Sequence, residues 1–288
     1  MTYGLPAEAA PGAPTCYRHP DRETWIRCTR CERPICPECM TAAAVGYQCP
    51  ECVRAGAAQT RSARTVFGGS FSRDGAVSYT IIGLCVGLYV LVGWLGALGG
   101  LSRWGMQPVL IAVQGEWFRL VSSMFLHVGL LHLAFNMYVL FLLGPPLERV
   151  LGHGRFLTLY LVAGLGGSVA SYAFSPAATL SVGASGAIFG LMAAWIVVAR
   201  RLHRDATQVL VLLGLNVALG FVLPSVDWRA HLGGAVVGAL MALVLTTGKG
   251  QQGRDRLPAQ AVGVVLILVG LAAIALWRTQ ELRALVGL

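Results

Sequence analysis

The sequence predicts an all-α polytopic membrane protein preceded by a small cysteine-rich module. Three observations carry that reading. Of the 288 residues, 56% are hydrophobic and only 12% charged, and the mean hydropathy is +0.65; soluble domains carry about 25% charged residues. Seven apolar segments approach the roughly 20 residues that cross a bilayer as a helix. Seven of the eight cysteines lie between residues 16 and 52, in regular pairs. The 36 glycines suit close helix packing in lipid. A net charge of +9 raises nucleic acid as a partner. In a membrane protein the charge is read through the loops that carry it, and no nucleic acid is expected. Lys249 is the only lysine, a bias that suggests a GC-rich bacterium.

Residues 1–15 are expected to be disordered. They lack the basic flank and apolar core of a signal peptide, so the first hydrophobic span is expected to act as an uncleaved anchor. Residues 16–52 contain four pairs with two-residue spacers: Cys16 and His19, Cys28 and Cys31, Cys36 and Cys39, Cys49 and Cys52. That spacer lets both members of a pair bind one tetrahedral metal, so the eight ligands suit two structural Zn²⁺ ions. An interleaved arrangement, first pair with third and second with fourth, is preferred. Sequential pairing is the alternative, and spacing leaves both open. Disulfides are the other use of such cysteines. The segment is too short to fold on apolar burial alone, so metal is expected to supply most of its stability. It resembles a B-box-like or treble-clef-like zinc module. All ligand positions would be filled by protein, which points to docking of a protein partner, regulation or capping rather than catalysis.

Residues 53–78 read as a basic linker, with Arg54, Arg61, Arg64 and Arg73 among small and polar residues. A juxtamembrane basic stretch favours the anionic cytoplasmic leaflet. The apolar segments lie near 79–99, 120–144, 156–175, 184–200, 206–223, 228–247 and 259–277. The first six form a core over residues 79–247; residues 248–288 supply a loop, a seventh span and a short tail. With the cysteine module inside, 17 of the 22 basic residues fall on the cytoplasmic side. This favours a cytoplasmic N-terminus and an external C-terminus in a bacterial plasma (inner) membrane, and keeps zinc-binding thiolates in a reducing compartment. The connection 100–119 is semi-hydrophobic and is expected to lie in the membrane interface.

The quartet Gly183-Ala184-Ser185-Gly186 opens the fourth span, and Ala230-His231-Leu232-Gly233-Gly234 opens the sixth. In the topology above, both spans enter from the external side, which sets Ser185 and His231 at similar depth. A serine hydroxyl is unreactive until a base takes its proton, and a neutral histidine is such a base. Gly186-x3-Gly190 and Gly234-x3-Gly238 would let the two helices touch. Phe189, four residues after Ser185, could stack on the His231 ring. Asp227, four before His231, reads as a surface residue. The second span carries His127, His132 and Asn136, the last two on one helix face. Each alone reads as a packed or hydrogen-bonding group. Beside a nucleophile, His132, Asn136 and the Ser185 N–H become donors for a developing oxyanion.

In combination these residues resemble the rhomboid family of intramembrane serine proteases. The resemblance rests on Glu116-Trp117-x-Arg119, His127-x4-His132-x3-Asn136, Gly183-x-Ser185-Gly186 and Ala230-His231-x2-Gly234, and covers about residues 79–250. It implies a six-helix core plus a seventh helix and a Ser185–His231 dyad. His132 and Asn136 would line the oxyanion site, and Gly183 would shape the loop before the nucleophile. Trp117 and Arg119 would stabilise the first loop, with Glu116 in the same network. Many members have tyrosine where Phe189 stands, which here keeps the ring and loses the hydroxyl. The implied reaction is peptide hydrolysis within or beside a transmembrane segment of a membrane-protein substrate, with no cofactor for catalysis. An inactive rhomboid-like protein that binds membrane clients is the alternative. A transporter explains His132 and Asn136 but not the pairing of Ser185 with His231.

Overall fold

Few apolar residues and many cysteines leave the N-terminal segment little to bury except sulfur, and its fold reflects that. A computed structural model describes residues 12–59, 65–67, 69, 75–94, 96–222, 226–247 and 257–287. Contacts divide the chain into two units, Met1–Ser62 and Ala63–Leu288. In the first, β1 (Thr15–Cys16) pairs antiparallel with β2 (His19–Glu23), and β3 (Thr41–Ala42) with β4 (Tyr47–Gln48). Helix α1 (Pro50–Gln59) follows, with proline at its first position, where a missing N–H costs nothing. The buried core residues are Cys16, Cys28, Cys36, Cys39 and Cys49 with Ile35. Helix α1 carries Cys52 and runs to Gln59, well into the expected linker. Arg61, Arg64 and Arg73 of that linker lie outside the described residues, as do Lys249, Arg254 and Arg256 of the loop charge count.

Among the described residues the second unit is built of helices, with one isolated bridge between Met106 and Ser181. Helix α2 (Ala76–Leu88) continues as a wider π-turn over Tyr89–Trp94. The connection after it is a chain of short helices: α3 (Gly100–Trp104), α4 (Pro108–Gln114) and α5 (Arg119–Ser122). Then come α6 (Leu130–Leu151), α7 (His153–Phe174), α8 (Ser185–Arg201), α9 (Thr207–Val222), α10 (Trp228–Thr246) and α11 (Leu257–Leu285). Helices α6, α7, α10 and α11 are long and apolar enough to cross a membrane, and α2 and α9 are shorter apolar helices. Helix α8 has 17 residues, mostly buried; at 1.5 Å per residue it spans roughly 26 Å, short of a bilayer core of about 30 Å. The second unit is therefore an all-α, multi-pass membrane bundle. One expected span is displaced. The segment 120–144 is mainly apolar along its whole length, but its first third forms α5 and a single 3₁₀ turn, and Gly129 is extended before α6 begins. His127 therefore lies in the connection and not on the helix of His132.

The centre of the bundle is α8, packed chiefly on α10 and α7. Small residues allow this. A Cβ on Gly234 would lie 1.9 Å from the Gly186 carbonyl oxygen, and one on Gly238 would lie 2.3 Å from Gly190 Cα. On the neighbouring face, a Cβ on Gly167 would meet the Ala230 carbonyl oxygen at 2.7 Å. In lipid, where apolar burial drives little association, such backbone approach supplies the dispersion contacts that hold helices together. At the opposite end from Ser185, the fully buried Glu148 carboxylate accepts from the N–H groups of Val77 and Ser78 at 2.9 and 3.0 Å and from Ser78 Oγ at 2.8 Å, and pairs with His153. It thereby satisfies the orphan donors at the start of α2. Helix α11 is tied by Tyr172–Thr279 at 2.6 Å, by Arg278 to the Ser175 carbonyl and by Arg283 to the Ala112 carbonyl.

Candidate active site

Ser185 is the first residue of α8 and is half-buried. Its position depends on the chain before it. Ser181 exchanges both backbone hydrogen bonds with Met106, at 2.9 and 3.0 Å, and the Gly183 N–H donates to the Ser123 carbonyl at 2.9 Å. Gly183 has φ +143°, which side-chain-bearing residues rarely adopt. A Cβ there would sit 2.9 Å from His132 Nε2 and 3.5 Å from Ser185 Oγ. Any side chain at this position would press on the His132 ring, so glycine lets His132 and Ser185 both approach this turn of the chain. The first turn of α8 aims its unpaired N–H groups, the positive end of the helix dipole, in this region.

His231 lies in the first turn of α10 and is 8% exposed. Its ring stacks on Phe189, with centroids 3.9 Å apart and planes 13° from parallel. The glycine contacts bring α8 and α10 together one residue after Ser185 and three after His231. Among the described residues, neither Ser185 Oγ nor the His231 ring forms a side-chain hydrogen bond, and His231 Nδ1 is buried. Asn136 is buried on α6 and its Nδ2 donates to the His132 carbonyl at 2.7 Å. The His127 ring lies edge-on to His132 at 5.1 Å, although it comes from the connection.

The connecting loop is held from within. Arg119, 2% exposed, donates to the carbonyls of Ser102 and Gly105 at 2.8 and 2.7 Å and pairs with Glu116 at 2.6 Å. The Arg119 guanidinium holds the Glu116 carboxyl below its ordinary range, with Arg103 assisting. Trp117 sets its ring edge-on to Tyr172 of α7 at 6.2 Å.

Asp227 corrects the sequence reading. It is the N-cap of α10, and its Oδ1 accepts the Ala230 N–H at 3.2 Å. Its Oδ2 accepts from Ser181 Oγ at 2.7 Å and from Ser171 Oγ of α7. One carboxylate therefore fastens the start of the His231 helix to α7 and to the segment leading into Ser185. The signal was present: aspartate three residues before Ala230 is a standard N-cap placement. Ser123, Ser171 and Ser181 carried no sequence pattern that would have found them.

In the cysteine module the side chains form two interleaved groups. Cys16, His19, Cys36 and Cys39 make one, and Cys28, Cys31, Cys49 and Cys52 the other, with ligand atoms within 4.8 Å of one another in each. His19 turns Nδ1 toward Cys36 and Cys39 sulfurs at 3.3 and 3.4 Å. Sulfurs about 2.3 Å from a tetrahedral zinc would be about 3.8 Å apart, and Cys31 and Cys49 are separated by 3.8 Å. Arg33 donates to Cys31 Sγ at 3.3 Å, a contact suited to a thiolate. The donor set fits two zinc ions.

Comparison with known proteins adds to this geometry. Residues 114–248 match the model of the Rhomboid domain. Rhomboid protease GluP of Bacillus subtilis (strain 168) is 37% identical over 199 residues, 65% of this chain and 39% of that protein. The rhomboid-protease candidate YdcA of the same organism is 36% identical over 142 residues, 47% of this chain and 70% of its own length. RHOMBOID-like protein 5 of Arabidopsis thaliana is 39% identical over 160 residues, 52% of this chain and 49% of that protein. The chain thus spans half or less of two of these relatives.

Proposed function

Because the chain belongs to the rhomboid family, we propose that it is an intramembrane serine endopeptidase that cuts membrane-protein substrates within or beside a transmembrane segment. The observation that carries the proposal is that Ser185 Oγ and the His132 ring converge on Gly183, which has no side chain to part them. A substrate carbonyl brought beside Ser185 Oγ would have the His132 ring near it as a donor, as acyl transfer requires.

In this reading His231 takes the Ser185 proton as Oγ attacks the scissile carbonyl. The resulting oxyanion is met by the ring N–H of His132, the Asn136 amide and the Ser185 backbone N–H at the helix N-terminus. Collapse breaks the C–N bond, and His231 gives its proton to the leaving amine, which leaves an acyl ester on Ser185. His231 then deprotonates a water that hydrolyses the ester and restores the serine. The nucleophile–base bond tightens when substrate excludes water, since such bonds are often loose in the free enzyme. Phe189 fixes the ring plane of His231. Glu116, Trp117 and Arg119 keep the first loop folded over the site. The substrate segment must unwind locally, because a helical peptide bond is shielded by its own hydrogen bonds.

The two metal groups are assigned to structural zinc held by Cys16, His19, Cys36 and Cys39 and by Cys28, Cys31, Cys49 and Cys52. The ions cross-link a segment that has almost no apolar core, and its surface is available to a protein partner. The setting proposed is a bacterial plasma membrane with the N-terminus in the cytoplasm. Cleavage of a reporter membrane substrate by purified protein tests the activity. Ser185→Ala is expected to lower cleavage by at least about 10³-fold. Equal cleavage by both proteins would sink the assignment. Retained client binding without cleavage would favour the inactive, client-binding alternative.

A further inference from the structure

Helix α10 has two working faces. His231, Gly234 and Gly238 recur at helical spacing and meet α8. On the opposite face, Arg229, Leu232 and Val236 line a cleft of about 330 Å³ whose other walls are α7 and α11. Its floor is where α7 and α10 approach most closely: a Cβ on Gly233 would lie 2.3 Å from Ala170 Cβ, and one on Gly166 would lie 2.5 Å from Val237 Cγ2. The cleft opens outward, since Phe174 and Val236 on its rim are 60% and 59% exposed. In a multi-pass membrane protein that direction is hydrocarbon.

Among the described residues, Arg229 is the one charged residue lining the cleft. It sits in the first turn of α10, half-buried, with its guanidinium 4.8 Å from the Trp228 ring centre and no ion pair among the described residues. An arginine beside a tryptophan at the end of a membrane helix is placed at headgroup level. An unpaired guanidinium above an apolar slot complements a ligand with a phosphate at one end and a hydrocarbon chain at the other.

We propose that this cleft is a phospholipid site, in which one acyl chain lies between α7, α10 and α11 and the phosphate is held by Arg229. The bound chain supports α10 from behind, on the side away from Ser185. This site is independent of the peptidase reading, because it is defined by binding and not by turnover.

The test uses full-length protein, delipidated in detergent, with binding and thermal unfolding followed against three probes: phosphatidylglycerol, diacylglycerol with the same chains, and inorganic phosphate. Phosphatidylglycerol is expected to saturate at a single tight site and raise the unfolding temperature, with diacylglycerol about tenfold weaker for want of the charge-assisted bonds. Phosphate alone is expected to have no effect. Arg229→Gln should reduce phosphatidylglycerol to the level of diacylglycerol. Val236→Trp, on the exposed rim, should weaken both lipids and keeps the test open if the arginine variant folds poorly. Equal binding of the two lipids by the unaltered protein would overturn the proposal. So would an unchanged response in Arg229→Gln, or stabilisation by phosphate alone, which would mean a free-anion site.

Discussion

In the module of residues 16–59, the buried core is five cysteines and Ile35. In the bundle, the core runs from Ile81 to Leu282, and α8 meets α10 glycine on glycine. The module places ligand atoms of distant segments within 4.8 Å of one another and leaves even Trp25 and Val45 exposed. The bundle removes side chains so that three backbones can touch. In the proposed reading one unit depends on an added ion; the other depends on the absence of methyl groups. Each is therefore sensitive to a perturbation that the other tolerates.

The largest effect expected is metal removal. Structural zinc supplies about 10–16 kcal/mol in small zinc-folded peptides, so a strong chelator should abolish amide-exchange protection over residues 16–59 and release about two zinc ions per chain. Protection of α7, α8 and α10 should persist. Simultaneous loss in both units would contradict the division drawn above. Next comes Gly234→Ala. The added methyl would lie 1.9 Å from the Gly186 carbonyl oxygen, and overpacking of this kind costs typically 1–3 kcal/mol, occasionally more. Ser185 should lose reactivity as α8 and α10 separate, with zinc content unchanged.

Asp227→Ala should have a smaller effect. It removes the cap of α10, worth about 0.5–2 kcal/mol, and leaves Ser171 and Ser181 without their acceptor. Thermal unfolding should show that loss, and Ser185 reactivity should fall while the protein stays folded. Glu116→Gln is expected to be the mildest. Arg119 lowers the Glu116 pKa in the folded protein, so the stabilisation is fully present above the ordinary glutamate value of about 4.3 and is lost as pH falls through the lower folded value. An acid-unfolding profile should therefore become flatter below about pH 4.3 in Glu116→Gln.

The seven apolar segments were legible because hydrocarbon demands long helices and admits few charges. The start of α6 was not. Residues 120–129 are as apolar as the helix that follows, and only the extended Gly129 and the bond from Gly183 to Ser123 reveal a folded loop. The glycine pairs and the Phe189–His231 stack could be anticipated from spacing, because residues four apart share a face. Which cysteine pairs combine is not fixed by spacing, since both arrangements satisfy the same two-residue spacers, but the interleaved grouping preferred from the sequence is the one found. Asp227 was read as surface because its partners, Ser171 and Ser181, lie 56 and 46 residues away. Long-range side-chain bonds leave no periodic trace in a sequence.

The central claim is that Ser185 is a nucleophile activated by His231. Its most direct measurement is covalent labelling by a serine-directed phosphonate, with the modified residue identified by mass spectrometry. The account predicts a single adduct at Ser185, lost in Ser185→Ala and strongly slowed in His231→Ala. Labelling at another serine, or at Ser185 with equal speed in His231→Ala, would contradict it.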